Sequence, residues 1–181
     1  MTSAQDDTRD SGRSQRVLGS LVGSIVGDAL GAPFEFGPPG QFSARFPEPR
    51  RGLVTEMCGG GSFGWRPGEW TDDTQMALHL AQSLLEHGGL EEADLFERWQ
   101  RWSREARDVG IQTRTVLSSG LPWPRAGTEH FERTGRAAGN GSLMRTTPAA
   151  IFFARTTAEE TSAAARRISA LTHGDPSAGD G

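Results

Sequence analysis

The sequence contains no lysine and only one cysteine, Cys58, in 181 residues. An internal disulfide framework and a cysteine-rich zinc site are therefore excluded, because both need several cysteines. The absence of lysine also excludes a lysine Schiff base and the lysine of a phosphate-binding P-loop. With 19 basic and 23 acidic residues the net charge is −4, which gives no indication of broad nucleic-acid binding.

Long apolar runs are also scarce in this chain. Residues 1–15 are polar and of mixed charge, without the apolar segment of a signal peptide, and we expect them to form a disordered lead-in. The most apolar stretch, residues 17–32, is interrupted by Asp28 and is shorter than the roughly 20 residues that a membrane-spanning helix needs. These features predict a soluble, cytoplasmic protein with no membrane or nucleic-acid partner.

Strand patterns are rare, and helical periodicity dominates the rest of the sequence. Apolar residues recur at three- and four-residue spacing from Val17 to Leu30, which predicts a buried helix. The same pattern predicts helices at about 72–87, 91–106, 110–119, 140–154 and 157–171. The length suits one domain with a hydrophobic core. We therefore predict an all-α fold, with one helical domain over residues 16–176 and a flexible tail over residues 177–181.

Glycine and proline mark two unusual segments. Glycine recurs at every fourth residue of the first predicted helix, at positions 19, 23, 27 and 31. Each of these glycines costs roughly 1 kcal/mol of helix propensity relative to alanine. A smooth glycine face lets another helix, or a ligand, approach the backbone closely, and helix packing is the preferred interpretation. Residues 37–68 contain several prolines and the run GGGSFG, so we expect a long functional loop there.

The stretch EWTDDTQMALHL, residues 69–80, places two adjacent aspartates at the edge of an apolar helix. Thr71 as the N-cap, with acidic residues in the first turn, is a strong helix start, because the helix dipole favours carboxylates there. A helix that begins near Thr71 would also place Asp73 on the core-facing side, where an unpaired carboxylate is costly. A threonine hydroxyl with two carboxylates is a set of hard oxygen ligands suited to Mg²⁺, Mn²⁺ or Ca²⁺. The residues alone leave helix capping and metal binding both open.

Other stretches bear on that choice when they are taken together with this one. In chain order they are GDALGAPFEF (27–36), GEWTDDTQMALHLAQSL (68–84), DVGIQTR (108–114), GNGSLMRTTPAA (139–150) and LTHGDP (171–176). Their ordered combination resembles the ADP-ribosylglycohydrolase family, whose best-known branch is the dinitrogenase reductase-activating glycohydrolases. The resemblance implies an all-helical fold with a binuclear Mg²⁺ or Mn²⁺ centre. It also implies a hydrolase that removes ADP-ribose from modified protein side chains, with ADP-ribosyl-arginine as the preferred expectation, or from related small molecules.

The resemblance also implies roles for particular residues. The metal ligands that it implies are Thr71, Asp72 and Asp73, and the catalytic carboxylates are Glu35, Asp72 and Asp108. The implied substrate-binding residues are Gly110, Asn140, Gly141, Ser142, Met144 and His173. Exposed backbone N–H groups in the Gly-Asn-Gly-Ser turn suit a diphosphate.

Several of these residues have a plainer interpretation when each is taken alone. Glu35 reads as a surface charge, and Asp108 as a solvated charge at a helix end. Ser142 reads as the N-cap of a helix, and His173 as a C-terminal helix cap. The resemblance, and not their spacing, favours the functional interpretation of all of them together.

One departure from the family pattern lies at the C-terminus. Family members continue past the histidine motif to an Asp-x-Asp-Thr sequence that supplies the second group of metal ligands. This chain ends in HGDPSAGDG without that motif, so we expect an incomplete domain, truncated at its C-terminus, whose missing part would come from a separate chain. The alternative to a hydrolase is an inactive remnant or an ADP-ribose-binding module.

Overall fold

The computed structural model of this chain describes residues 3–48 and 57–180. Two compact units are present, Met1–Thr71 and Asp72–Gly181. Helices supply the regular structure of the described residues, which contain no strand and only one isolated β-bridge, between Gly60 and Trp65. The all-α prediction is confirmed. The single helical domain predicted for residues 16–176 spans both units.

The first unit begins with a long helix. α1 (Ser3–Gly31) is followed by a 3-10 turn (Ala32–Phe34) and by the short α2 (Gln41–Arg45). From Ser3 onward, α1 replaces the disordered lead-in predicted for residues 1–15; the first two residues lie outside the described part. Residues 3–15 contain no proline and a single glycine, so nothing in their sequence interrupts the backbone hydrogen bonds of a helix.

α1 has an exposed apolar side. Leu18, Val22 and Val26 recur at every fourth residue and are 62%, 47% and 39% exposed. At the glycines of positions 19, 23, 27 and 31, an added Cβ would meet no described atom within 4 Å. The close packing predicted for this glycine face therefore has no partner in the described part of the chain.

The segment Ser11–Phe34 is long and apolar enough, by length and composition, to cross a membrane. The length argument against such a span is therefore wrong, because α1 continues through Asp28 to Gly31 and the apolar segment begins before Val17. The segment lies near the N-terminus and its most apolar part is 17% buried. One helix of this kind is weak evidence for a membrane segment, since core helices and signal sequences share its length and composition.

Close backbone contacts order the described part of the predicted loop 37–68. Gly60 and Trp65 exchange two backbone hydrogen bonds of 2.8 Å. Gly61 has a φ of +70° and lies against Pro33, so that an added Cβ would be 2.7 Å from the Pro33 carbonyl oxygen. This contact explains the glycine at position 61 in the run GGGSFG. The loop also contains α2, and its residues 49–56 lie outside the described part.

The second unit is a bundle of mostly short helices. They are α3 (Asp72–His87), α4 (Glu92–Ser103), α5 (Ile111–Leu117), α6 (Trp123–Thr134), a 3-10 turn (Asn140–Arg145), α7 (Thr147–Phe152), α8 (Ala158–Ala170) and α9 (Pro176–Asp180). α3 has the predicted bounds, and α4, α5 and α8 lie within predicted segments. The segment 140–154 forms two elements instead of one helix, because Pro148 lacks the N–H group that a continuous helix would use.

Two helices form where the sequence predicts none. α6 follows Pro122 and carries Pro124 in its first turn, where a missing N–H group costs nothing. α9 covers most of the predicted flexible tail, residues 177–181. The Asp175 carboxylate accepts a 3.0 Å hydrogen bond from the Ser177 N–H group, and Arg166 donates to Asp180 at 2.9 Å. These contacts order the tail.

The core of the second unit is built around α3. Its buried side chains are Met76, Leu80, Leu84, Leu95, Phe96, Trp99, Val116, Leu117, Ala126, Ala149, Ile168 and Leu171. The Trp99 indole N–H group donates to the Met76 carbonyl at 3.2 Å, which fixes α4 against α3. Full burial of a leucine-sized side chain contributes roughly 1.5–3 kcal/mol. This core holds the first turn of α3 in a fixed position relative to α5 and to the 3-10 turn Asn140–Arg145.

Candidate active site

Asp72 is a buried carboxylate at the start of α3. Its residue surface is only 7% exposed. Its Oδ2 accepts a 3.1 Å hydrogen bond from the backbone N–H group of Gly110, immediately before α5. The structure thus brings together two residues that the sequence predicted for the site. Asp72 is more deeply buried than Asp73, although the helical spacing predicted that Asp73 would face the core.

Thr71 closes the first unit and is held by α1. Its backbone N–H group donates to both carboxylate oxygens of Asp28, at 3.2 and 3.0 Å, and its hydroxyl donates to Asp28 Oδ1 at 2.8 Å. Asp28 is a residue that the sequence reasoning missed, although it lies in the quoted stretch GDALGAPFEF. Because the Thr71 hydroxyl uses its one hydrogen on Asp28, its oxygen can act towards a metal or a helix N–H group only through its lone pairs.

The predicted metal ligands Thr71, Asp72 and Asp73 have the hard oxygen atoms that Mg²⁺ and Mn²⁺ prefer. They are consecutive in the sequence. Among the described residues, however, no group of three or more histidine, cysteine, aspartate or glutamate side chains could hold a metal ion. Thr71, Asp72 and Asp73 remain the predicted ligands, and the binuclear Mg²⁺ or Mn²⁺ centre stays a prediction.

The predicted substrate-binding turn is the 3-10 turn Asn140–Arg145, and its residues differ in burial. Asn140 is exposed and Gly141 is half-buried. Ser142 is buried, and its hydroxyl donates to the Ala178 carbonyl at 3.2 Å. Met144 packs against the hydrophobic core. Asn140 and Gly141 are therefore the accessible residues among those predicted for this turn, whereas Ser142 and Met144 contact the rest of the second unit.

His173 lies against this turn. Its ring is buried, with 3% of the residue surface exposed. A Cβ added at Gly141 would be 3.0 Å from Cε1 and 3.1 Å from Nε2 of the imidazole, so a side chain at position 141 would force the ring to move. Burial, followed by the electrostatic effects of Arg145 and His130, lowers the pKa of His173 to about 3. His173 is consequently neutral at physiological pH.

Arg145 is a fully buried cation, with 0% of its surface exposed. It contacts Thr172, the residue immediately before His173. Its guanidinium carbon lies 4.0 Å from the centroid of the Trp99 ring, within range of a cation–π interaction. Its Nη2 donates to the Ile168 carbonyl at 3.2 Å and to the Thr172 hydroxyl at 2.8 Å. Burial lowers the pKa of Arg145 to about 9, against the opposing effect of the Asp72 carboxylate. Arg145 is therefore still charged at neutral pH.

Two residues of α5, Gln112 and Thr113, link this helix to the turn around Gly141 and to the segment after α8. Gln112 donates from Nε2 to the carbonyls of Ala137 and Thr172, both at 3.0 Å. Thr113 is buried, and its hydroxyl would lie 3.8 Å from a Cβ added at Gly110 and 3.5 Å from one added at Gly141. Neither residue is among the site residues predicted from the sequence, although both lie in the stretch DVGIQTR (108–114).

The two remaining predicted carboxylates occupy less enclosed positions. Glu35 is exposed and belongs to the first unit, next to Phe36, which has a φ of +63°. Asp108 is half-buried in the second unit, two residues before Gly110. Asp108 is therefore near the Asp72–Gly110 contact along the chain. The catalytic roles of Glu35 and Asp108 stay predictions.

The second unit also has a cavity of about 540 Å³ between α3 and α4. Its walls are Gln75, His79, Gln82, Arg98, Arg101, Trp102, Glu105 and Ala106. The sequence predicted none of these as site residues. Arg98 is already bonded to Asp94 and to Glu86, so its charge is used within the protein.

Comparison with known proteins connects the chain with a family. Residues 9–181 match the family described as ADP-ribosylglycohydrolase. The chain is 36% identical over 146 residues to ADP-ribosylarginine hydrolase Tri1 of Serratia proteamaculans (strain 568), covering 76% of this chain and 36% of that protein. It is 37% identical over 137 residues to ADP-ribosyl-[dinitrogen reductase] glycohydrolase of Rhodospirillum rubrum, covering 75% of this chain and 44% of that protein.

A solved structure agrees with these matches. The chain resembles an ADP-ribosylglycohydrolase-related protein complex with a TM-score of 0.67 and 39% identity, covering 93% of this chain and 52% of that one. The chain thus spans about half of the solved chain and about two fifths of the two relatives.

Proposed function

Because the chain belongs to the ADP-ribosylglycohydrolase family, we propose that it takes part in removing ADP-ribose from ADP-ribosylated molecules. The contact between Asp72 and Gly110, next to the Gly141 turn and the neutral His173, is the observation that carries this proposal. It combines a buried carboxylate with exposed backbone and an uncharged hydrogen-bonding ring. Such a combination suits a ligand that has a glycosidic bond on a ribose and a diphosphate on the other side of that ribose.

The substrate that we propose is ADP-ribosyl-arginine in a protein. Two features support this choice. A relative of this chain is named ADP-ribosylarginine hydrolase and another acts on ADP-ribosylated dinitrogen reductase, as their names state. Asp108 also offers a carboxylate, which pairs well with a guanidinium through two parallel hydrogen bonds.

The chemistry that we propose is hydrolysis at the ribose carbon C1″. The bond from C1″ to the arginine nitrogen breaks with its electron pair going to nitrogen, and the oxygen of a water molecule bonds to C1″. The leaving guanidine takes up one proton, and the attacking water gives one up. Negative charge near C1″ stabilises the oxocarbenium-like transition state, and a carboxylate can accept the proton of the water. We assign this proton transfer to Asp72, whose position is fixed by the Gly110 N–H group.

Metal dependence is a further part of the proposal. Thr71, Asp72 and Asp73 would hold Mg²⁺ or Mn²⁺, and a bound cation of this kind would polarise water and grip the ribose hydroxyls. None of the bond changes given above for hydrolysis at C1″ depends on that cation.

A second candidate function is an ADP-ribose-binding module without turnover. The same incomplete set of metal ligands favours this candidate. Binding would need only the turn around Gly141 and the ring of His173, which the structure already brings together.

One assay separates the two candidates. ADP-ribosyl-arginine is incubated with the 181-residue chain in the presence of Mg²⁺ or Mn²⁺, and released ADP-ribose is measured alongside ADP-ribose binding by calorimetry. The hydrolase predicts release that Asp72→Asn abolishes and that the control Cys58→Ala leaves unchanged. Binding without release supports the module. Neither binding nor release would reject both candidates.

A further inference from the structure

Arg145 is an unusual residue to find in the core of the second unit, because burying a guanidinium is costly unless its hydrogen bonds are satisfied. Among the described residues it makes no ion pair with a carboxylate. It stacks on Trp99 at 4.0 Å and donates to one carbonyl, to one hydroxyl and, at 3.7 Å, to the sulfur of Met76. Without a carboxylate partner, these contacts offset only part of the cost of burying the charge. The buried charge therefore calls for an explanation other than stability.

The hydroxyl that Arg145 contacts belongs to Thr172, which is itself fully buried. A guanidinium can only donate, so the Thr172 oxygen must accept the 2.8 Å hydrogen bond from Nη2. Its second contact is to Nδ1 of His173, also at 2.8 Å. Among the described residues no other acceptor lies within reach of the Thr172 hydroxyl hydrogen. The satisfied arrangement is therefore one in which Thr172 donates to Nδ1.

This direction decides the protonation state of the His173 ring. A neutral imidazole carries one proton, and a nitrogen that accepts a hydrogen bond does not carry it. Because Nδ1 accepts from Thr172, the proton must lie on Nε2. A doubly protonated ring would place two donors, the Nδ1–H group and the hydroxyl, against each other. It would also add a second positive charge beside Arg145.

Nε2 faces the turn that was predicted to bind substrate. It lies 3.1 Å from the position of a Cβ added at Gly141 and 3.6 Å from one added at Gly139. No described residue accepts a hydrogen bond from Nε2. Nδ1 of His130 and Nε of Arg145 are fully enclosed and have no hydrogen-bond partner, but Nε2 of His173 is not enclosed in this way. The Nε2–H group is thus open to a ligand that rests on the two glycines.

We propose that Arg145 and Thr172 are positioning residues that hold His173 in its neutral Nε2–H form, so that it donates a hydrogen bond to an acceptor oxygen of an ADP-ribosyl group at Gly139–Gly141. The identity of the ligand rests on the proposed function, whereas the protonation of the ring does not. With the opposite tautomer, Nε2 would be an acceptor and would repel the same oxygen. Arg145 is needed because its donation occupies the Thr172 oxygen and turns the hydroxyl hydrogen towards Nδ1.

The protonation of His173 can be measured directly in the 181-residue chain. Long-range ¹H–¹⁵N NMR spectra of the ¹⁵N-labelled protein distinguish a protonated Nε2 from a protonated Nδ1. The expected result for the wild type, and for Thr172→Ser, is a neutral ring with its proton on Nε2. In Thr172→Val, which keeps the shape of the side chain but has no hydroxyl, a clear population with the proton on Nδ1 should appear. A wild-type spectrum with the proton on Nδ1 would overturn the inference whatever the protein binds.

Binding of ADP-ribose, measured by calorimetry on the same proteins, tests the second half of the inference. Loss of one hydrogen bond corresponds to a roughly three- to tenfold weaker Kd, which is expected for Thr172→Val and for His173→Ala but not for Thr172→Ser. Thr172→Val should cause no further loss when His173 is already alanine, because the two residues act through one contact. Additive losses would show that Thr172 acts by another route and would overturn the positioning role.

A variant that leaves the Arg145–Thr172 pair intact covers the case in which Thr172→Val does not fold. Gly141→Ala places a methyl group within about 3.1 Å of the ring edge. It should weaken ADP-ribose binding while the proton stays on Nε2. Unchanged binding in Gly141→Ala would contradict the placement of the ligand. If the wild type shows the Nε2–H form but does not bind ADP-ribose, the proposed function fails and the ring assignment stands.

Discussion

Gly127, in the middle of α6, offers the sharpest stability test, because its backbone lies directly against the end of α8. A Cβ added at Gly127 would be 2.2 Å from the Ala170 carbonyl oxygen, and one added at Gly174 would be 2.3 Å from the Gly127 carbonyl oxygen. Both obstacles are backbone atoms, which cannot turn aside as a flexible side chain can. Gly127→Ala therefore forces α6 and the segment after α8 apart.

The expected magnitude follows from two opposing effects. Alanine at a helical position gains roughly 1 kcal/mol of propensity over glycine. Overpacking at a closed contact typically costs roughly 1–3 kcal/mol, and occasionally more. A separation of 2.2 Å is well below any normal contact distance, so the overlap should dominate. We expect a net loss of about 1–2 kcal/mol in the free energy of unfolding, which corresponds to a fall of roughly 2–8 °C in Tm for a chain of this length.

Chemical and thermal unfolding, followed by circular dichroism, measure this loss. Gly89→Ala is the matched control, since an added Cβ there meets nothing within 4 Å, and its stability should change by less than about 0.5 kcal/mol. The segment displaced by Gly127→Ala includes Thr172 and His173, so ADP-ribose binding should weaken as well. A Gly127→Ala protein as stable as the wild type would refute the close backbone contact.

Other outcomes follow from single features of the structure. Gly23→Ala in α1 should raise helix stability by up to about 1 kcal/mol, because an added Cβ meets no described atom within 4 Å. A lower Tm would show that another group packs closely against the glycine face. His173 has a pKa lowered to about 3 from an ordinary value of 6.5, so the unfolded chain binds its proton first as the pH falls. Its contribution is fully present above pH 6.5 and is lost between pH 6.5 and 3, at up to about 1.4 kcal/mol per pH unit. Unfolding curves for His173→Gln should accordingly depend less steeply on pH than those of the wild type, and equal slopes would contradict the buried neutral ring. Calorimetric titration with Mg²⁺ or Mn²⁺ should show weak binding, because Thr71, Asp72 and Asp73 leave most of the coordination to water. Asp73→Asn should reduce this binding. Equal binding in both proteins would favour helix capping as the role of these residues.

The helices with regular apolar spacing could be predicted from the sequence. α3 has the predicted bounds, because Met76, Leu80 and Leu84 repeat at helical spacing and an acidic first turn marks the start. α6 could not be predicted in the same way. Its two prolines are typical of a loop, and only the structure shows that they stand at or before the first turn.

The candidate site shows a similar division. Asp72, Gly110, Gly141 and His173 were identified through the motifs that resemble the family, and the structure brings Asp72 to Gly110 and Gly141 to His173. Arg145 could not be predicted as a core residue, because arginine is almost always exposed and nothing in the sequence reveals a partner 27 residues away at Thr172. Long-range contacts between polar side chains depend on how helices pack, which periodicity does not specify.

The most direct test of the account is the identity of the product formed from an ADP-ribosylated arginine. Mass spectrometry of the reaction with the 181-residue chain and Mg²⁺ or Mn²⁺ should show intact ADP-ribose together with unmodified arginine. The same reaction with Asp72→Asn should show neither product. Cleavage within the diphosphate, which would give AMP and leave phosphoribose on the arginine, would contradict the proposed hydrolysis at C1″. Equal release by the wild type and by Asp72→Asn would contradict the role given to the buried carboxylate.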